Sequence, residues 1–197
     1  LRPTTFAAVM VSILAATSEA RAAFITTITQ SGPDVVATGT GSLNINALTV
    51  LGPVGGVSNN MNPSVAYLAI GVDGAQNTFY FGMTVRPSNF GTGAGSTPST
   101  VRSGPIVTIQ GNDALVLPQS YVSGSTFSSS ATWSGSTYAS LGLTPGTYVF
   151  SWGSGADADS YTIQVVSPVP ETSHTLLAGL AGAAAFGLAR RRSRRSA

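Results

Sequence analysis

Cysteine and lysine are both missing from the 197 residues, and histidine occurs once, as His174. Without cysteine there is no disulfide framework, no thiol nucleophile and no thiolate metal site. Because His174 lies near the C-terminus, the central body can hold no Ser-His-Asp triad, no Cys-His pair and no histidine-based zinc or copper site. Glutamate is confined to Glu19 and Glu171, and charged residues are only 8% of the chain. Between residues 23 and 168 the cations are Arg86 and Arg102, set against Asp34, Asp73, Asp113, Asp157 and Asp159; two against five leaves −3. The whole-chain charge of +2 therefore belongs to the arginine-rich ends and does not describe a nucleic-acid-binding body. The 23 glycines form neither GxxxxGK[ST] nor a strand-GxGxxG-helix phosphate loop.

What is present is most ordered at the ends. Val169-Pro170-Glu171-Thr172-Ser173-His174 is followed by an uncharged run over 175–189, TLLAGLAGAAAFGLA, and then by Arg190, Arg191, Arg192, Arg194 and Arg195. An uncharged helix satisfies its own backbone bonds in hydrocarbon, and the arginines behind it stay on the cytoplasmic side. Fifteen residues at ~1.5 Å each reach roughly 22 Å, short of a ~30 Å hydrocarbon core. Gly179, Ala183 and Gly187 recur every fourth residue and offer a face that another helix can approach closely. A short, helix-pairing segment of this kind suits transient handling by a membrane enzyme better than permanent anchoring.

In order and content this tail resembles a PEP-CTERM sorting signal. Val169, Pro170 and Glu171 match the family motif, while Thr172 stands where the family usually has a second proline. The resemblance implies an exosortase-type membrane protease as partner and cleavage near Pro170–Glu171. It further implies export through the inner membrane of a Gram-negative envelope, with transient anchoring by the C-terminal helix, to the cell surface or beyond. The stretch from Tyr121 to Val165 also resembles the ectodomain ending of short PEP-CTERM proteins, which mostly lack an assigned activity.

The N-terminus points the same way. Arg2 precedes an apolar stretch over 6–16, and Ala20 and Ala22 occupy the two small positions of a signal-peptidase site. The expected division is a signal peptide over 1–22, an ectodomain over 23–168 and a sorting segment over 169–197.

The body reads as all-β. β-branched and alternating runs over 24–30, 35–39, 43–51, 65–71, 77–85, 106–110, 114–117, 126–133, 147–153 and 161–166 are separated by Gly/Pro/Asn/Asp turns. A further short strand is expected at 121–123. Residues 52–62 read as a loop, and 87–105, with little chemistry beyond Phe90 and Arg102, as a long mobile stretch. Short strands without amphipathic helices between them predict an antiparallel β-sandwich or jelly-roll. This ectodomain would be flanked by an N-terminal signal helix and a C-terminal transmembrane helix.

Chemistry in such a body rests on carboxylates. Asp157 and Asp159 are two apart and share a face if extended, so with neighbouring oxygens they can hold calcium; alternatively they form Asx turns at a strand junction. Nothing in the sequence pairs the other aspartates across a substrate, as glycoside hydrolysis needs. Tyr148, Phe150 and Trp152 lie at strand spacing, either as core or as a platform for sugar rings. The chain thus reads as a non-catalytic, cofactor-free surface or matrix protein. The alternative is a carbohydrate-binding module, calcium-assisted or not, with exopolysaccharide as a partner. Burial of Trp133 and Trp152 favours the first, and an exposed aromatic pair the second.

Overall fold

A computed structural model describes residues 23–74 and 76–168. In chain order the strands are β1 (Ala23–Ser31), β2 (Asp34–Gly41), β3 (Thr49–Val54), β4 (Asn60–Asn62), β5 (Tyr67–Ile70), β6 (Asn77–Phe81) and β7 (Thr97–Pro98). They continue as β8 (Val101–Ser103), β9 (Val107–Gln110), β10 (Ala114–Pro118), β11 (Phe127–Trp133), β12 (Gly146–Trp152) and β13 (Asp159–Val165). One helical turn, α1 (Tyr138–Leu141), separates β11 from β12. The strands form two sheets, one of six in the order β12-β13-β1-β2-β11-β8 and one of seven in the order β3-β6-β10-β9-β5-β4-β7.

The two sheets enclose one core. In β1 the alternation Phe24, Thr26, Ile28 faces inward, and all three are fully buried. Val35 and Ala37 of β2, Ala131 and Trp133 of β11, and Tyr161, Ile163 and Val165 of β13 complete that inner face. Leu68, Ile70, Ile109, Leu115 and Leu117 supply the opposing face from the seven-stranded sheet. Pairings are antiparallel except one: β1 runs parallel to β13, with Phe24 opposite Tyr161 and Thr26 opposite Ile163. Phe24 stacks on Tyr161 at 5.3 Å. The buried Thr26 hydroxyl is satisfied by the Tyr161 hydroxyl at 2.6 Å.

In the seven-stranded sheet, Leu68 to Ile70, Val107 to Ile109 and Ala114 to Leu117 are buried on both faces. The second cover comes from the chain itself. β3 is an edge strand and β4 lies near the opposite edge, so residues 55–59 cross the outer face of the sheet between them. This strap is pinned by Val57 N–H donating to Asp73 Oδ2 at 2.8 Å. The Tyr67 hydroxyl donates to the Ser58 carbonyl at 3.0 Å. At the far end Ser99 N–H donates to the Asn59 carbonyl at 3.1 Å.

Several local expectations are revised. The stretch 52–62 is not simply a loop, since it completes β3 and contains β4 with Met61 fully buried. The stretch 87–105 carries β7, β8 and the fully buried Phe90. Phe90 N–H donates to the Pro63 carbonyl at 2.9 Å, and Thr92 N–H to the Gly142 carbonyl at 2.8 Å. Gly91, Gly93 and Gly142 let this segment lie directly on the end of α1, where a Cβ on any of them collides with the facing backbone. Residues 121–123 are not a strand, and a turn begins at Ser123. Gly82, at φ 111°, ends β6 at Phe81, short of the expected 85, and Met83 beyond it is buried in the core.

The larger revision concerns the ends. The fold is all-β and consistent with a sandwich, and among the described residues neither of the expected flanking helices occurs. Among the described residues no helix is long and apolar enough to cross a membrane, and α1 has only 4 residues. The segments assigned to the signal and transmembrane helices, 1–22 and 169–197, lie outside the described residues, as do Ala20, Ala22, Val169, Pro170, Glu171 and Arg190 to Arg195. The apolar run that carried the transmembrane expectation is itself some 8 Å short of a ~30 Å hydrocarbon core. The described residues thus supply no membrane-spanning helix to support transient membrane anchoring, export through the inner membrane to the cell surface, or signal peptidase, exosortase and exopolysaccharide as partners.

If 87–105 is core-forming, Phe90→Ala destabilises the domain by about 3–5 kcal/mol, the usual cost of deleting a buried aromatic ring. Urea denaturation measures it; a loss under about 1 kcal/mol, typical of surface positions, refutes the assignment.

Candidate functional site

The expected Asp157–Asp159 pair does not form a shared face. Asp157 ends a 3-10 turn (Gly155–Asp157) and is exposed, whereas Asp159 opens β13 with 5% of its surface accessible. Asp159 Oδ2 accepts the Asn44 N–H, and Oδ1 accepts the Ser160 N–H at 2.6 Å. Around it the Trp152 indole donates to the Asn44 carbonyl at 2.7 Å, and Asn44 Nδ2 donates to the Ala156 carbonyl at 3.2 Å. Asp157 receives only a long contact from Asn46 Nδ2, 3.5 Å. Asp159 thus fastens the 42–47 loop to the start of β13. No group of three or more His, Cys, Asp or Glu side chains with metal-ligand placement occurs among the described residues. Neither aspartate forms the Asx turn of the alternative, since Asp159 accepts from the adjacent Ser160 and from Asn44, 115 residues away, and Asp157 meets only Asn46.

Burial raises the Asp159 carboxyl to about 6, and the Asn44 and Ser160 N–H groups only partly offset that. A raised folded value means the native state holds a proton that the unfolded chain releases, so this group's contribution to stability is full below the ordinary carboxylate range and is lost as pH rises through about 6.

The other aspartates also bond main chain. Asp34 Oδ1 accepts the Gly135 N–H at 2.8 Å. Asp73 takes the strap's Val57 N–H through one oxygen and Asn77 Nδ2 through the other, both at 2.8 Å. Asp113 Oδ1 accepts Gly82 N–H at 3.0 Å and Met83 N–H at 2.8 Å, while its Oδ2 meets Arg86 at 3.1 Å. Arg102 folds back on Ser99, donating to its hydroxyl at 2.9 Å and its carbonyl at 3.0 Å.

The aromatic stripe is core. Phe150 is fully buried, Trp152 is 1% exposed, and only Tyr148 is half-buried. Trp133 is likewise 1% exposed, and its indole donates to the Thr97 carbonyl at 2.9 Å. None of these rings offers a stacking platform.

A cleft that the sequence did not reveal lies on the outer face of the seven-stranded sheet, beside the strap. Its volume is about 250 Å3, and its lining is Asn60, Asn62, Val65, Tyr67, Ser96 and Gln110. Met61 pairs with Leu68 and points inward, so Asn60 and Asn62 face out together. Asn62 pairs with Tyr67, and Gln110 lies one step beyond the Leu68–Ile109 pair, giving a row across β4, β5 and β9. The Asn60 Oδ1 atom is buried with no hydrogen-bond partner among the described residues.

No family model, no curated protein and no solved structure matches this chain.

From the Asp159 shift, denaturant stability falls as pH rises from about 4 to 6 and levels off above that window. Asp159→Asn removes this slope and, by turning one acceptor into a donor, costs about 1–3 kcal/mol below pH 4 as well. A wild-type profile flat between pH 4 and 7 refutes it.

Proposed function

We propose that the β-sandwich is a non-catalytic structural domain of the matrix-protein type. The observation that carries this reading is the burial of Trp133 and Trp152, each 1% exposed, which makes the large aromatic surface part of the scaffold. The carboxylates support it as well. Asp34, Asp73, Asp113 and Asp159 are each committed to main-chain N–H groups, which suits holding loops and leaves no free acid–base pair. We read the tail over 169–197 as a sorting signal of the PEP-CTERM type, cleaved near Pro170–Glu171. Its support is the order of motif, apolar run and arginines in the sequence.

A second reading, a carbohydrate-binding module, is favoured by the amide-lined cleft at β4, β5 and β9.

Two measurements test the structural reading. Tryptophan emission is blue-shifted and protected from acrylamide in the folded chain, and saccharides leave it unchanged. Ligand-dependent quenching overturns the assignment of both indoles to the scaffold. Intact mass of the product from the native host ends near Pro170, whereas a chain that keeps Arg190 to Arg195 rules out the sorting reading.

A further inference from the structure

We propose that the cleft formed by Asn60, Asn62, Tyr67 and Gln110 binds a neutral saccharide ring. The inference names the site of the second reading above and stands apart from the structural one.

The chemistry of the lining selects the ligand. Asn60, Asn62 and Gln110 are neutral amides, each with a donor and an acceptor on one planar group, the combination that vicinal hydroxyls require. Tyr67, half-buried, adds an aromatic ring beside them; its hydroxyl donates to Ser58 and has the Thr108 side chain against it, so the ring face is what it offers. None of the lining residues is charged, so nothing there neutralises a phosphate, a sulfate or a uronate. Neighbouring strands ~4.8 Å apart place the Asn62–Tyr67–Gln110 row over about 10 Å, with Asn60 two residues along β4 on the same face. About 250 Å3 lies below the ~300–1,000 Å3 of drug-sized pockets, so the cleft takes a ring or two and no long chain.

An independent observation marks the same face. Three side-chain oxygens are buried and unpartnered among the described residues, Oδ1 of Asn59, Asn60 and Asn77, while the buried Thr108 hydroxyl lies against Tyr67. Strand register puts Asn60, Asn77 and Thr108 on the outer face of the seven-stranded sheet, and Asn59 ends the strap above it. Of these residues only Asn60 lines the cleft, and the ligand assignment rests on the amide and aromatic lining itself. Asn60 and Gln110 make no side-chain hydrogen bond to the rest of the described protein that would explain amides at these positions.

The test uses the full chain with glucose, galactose and mannose, their neutral tetrasaccharides, and glucuronic acid as the charged control. Saturation-transfer NMR and calorimetry read binding, with and without EDTA. At least one neutral sugar binds, EDTA changes nothing, and glucuronic acid binds more weakly. Asn60→Ala and Gln110→Ala each weaken binding about tenfold, the effect of one lost hydrogen bond. Both variants keep or raise the melting temperature, because neither breaks a bond within the protein. The proposal is overturned by absence of binding to every neutral probe, by loss of binding in EDTA, or by preference for glucuronic acid. It is equally overturned if both variants bind as wild type, or if they lower the melting temperature without changing binding. None of these failures touches the structural reading, whose tests are tryptophan protection and product mass.

Discussion

A body carrying two arginines and five aspartates has few ion pairs to form, and its loops are held instead by carboxylates accepting main-chain N–H groups. Such charge-assisted bonds are stronger than neutral ones and need one charged residue each. Asp113 gathers the turn after β6, Asp73 the strap, Asp34 the turn after β11, and Asp159 the loop between β2 and β3. Remove these fasteners and the sheets retain their core but lose the connections that cover it. Four of the five aspartates are spent on backbone in this way, and Asp157 alone is left exposed with only a long contact to Asn46.

The two sheets differ in how they meet water. The six-stranded sheet follows simple alternation, with buried Phe24, Thr26 and Ile28 opposed to outward Ile25 and Thr27. The seven-stranded sheet is covered twice, by the other sheet and by the 55–59 strap. Covering a sheet with chain rather than helix brings polar backbone and amides against its face. That accounts for the collection of buried polar side chains there, and for a cleft lined by amides and not by aliphatic groups.

Much of the strand pattern was legible because alternation and turn chemistry are local. The turn at Gly32-Pro33 falls between β1 and β2, for example, and Thr144-Pro145-Gly146 leads into β12. What escaped depends on distant partners. Residues 87–105 look structureless because Gly, Ser and Thr dominate them, yet those glycines are what let the backbone lie against the end of α1. Asn60-Met61-Asn62 is too short for periodicity to register, although the buried Met61 between two outward amides is in hindsight the signal for β4. Asp157 and Asp159 share a face only in an extended chain; a 3-10 turn rotates the first away. The parallel partner of β1 could not be read at all, since it lies at the other end of the domain.

That parallel seam has a kinetic consequence. Thr26 and Tyr161 are separated by 135 residues, so one of the inner strands of the sheet is synthesised long before the strand that flanks it. At ~5–20 residues per second the wait is roughly 7 to 27 seconds, during which the β1 edge of the β1–β2 hairpin stays open. Closure of the sandwich is therefore a late, non-local event, and a ribosome-bound chain stopped before β13 leaves a half-finished sheet with an adhesive flank.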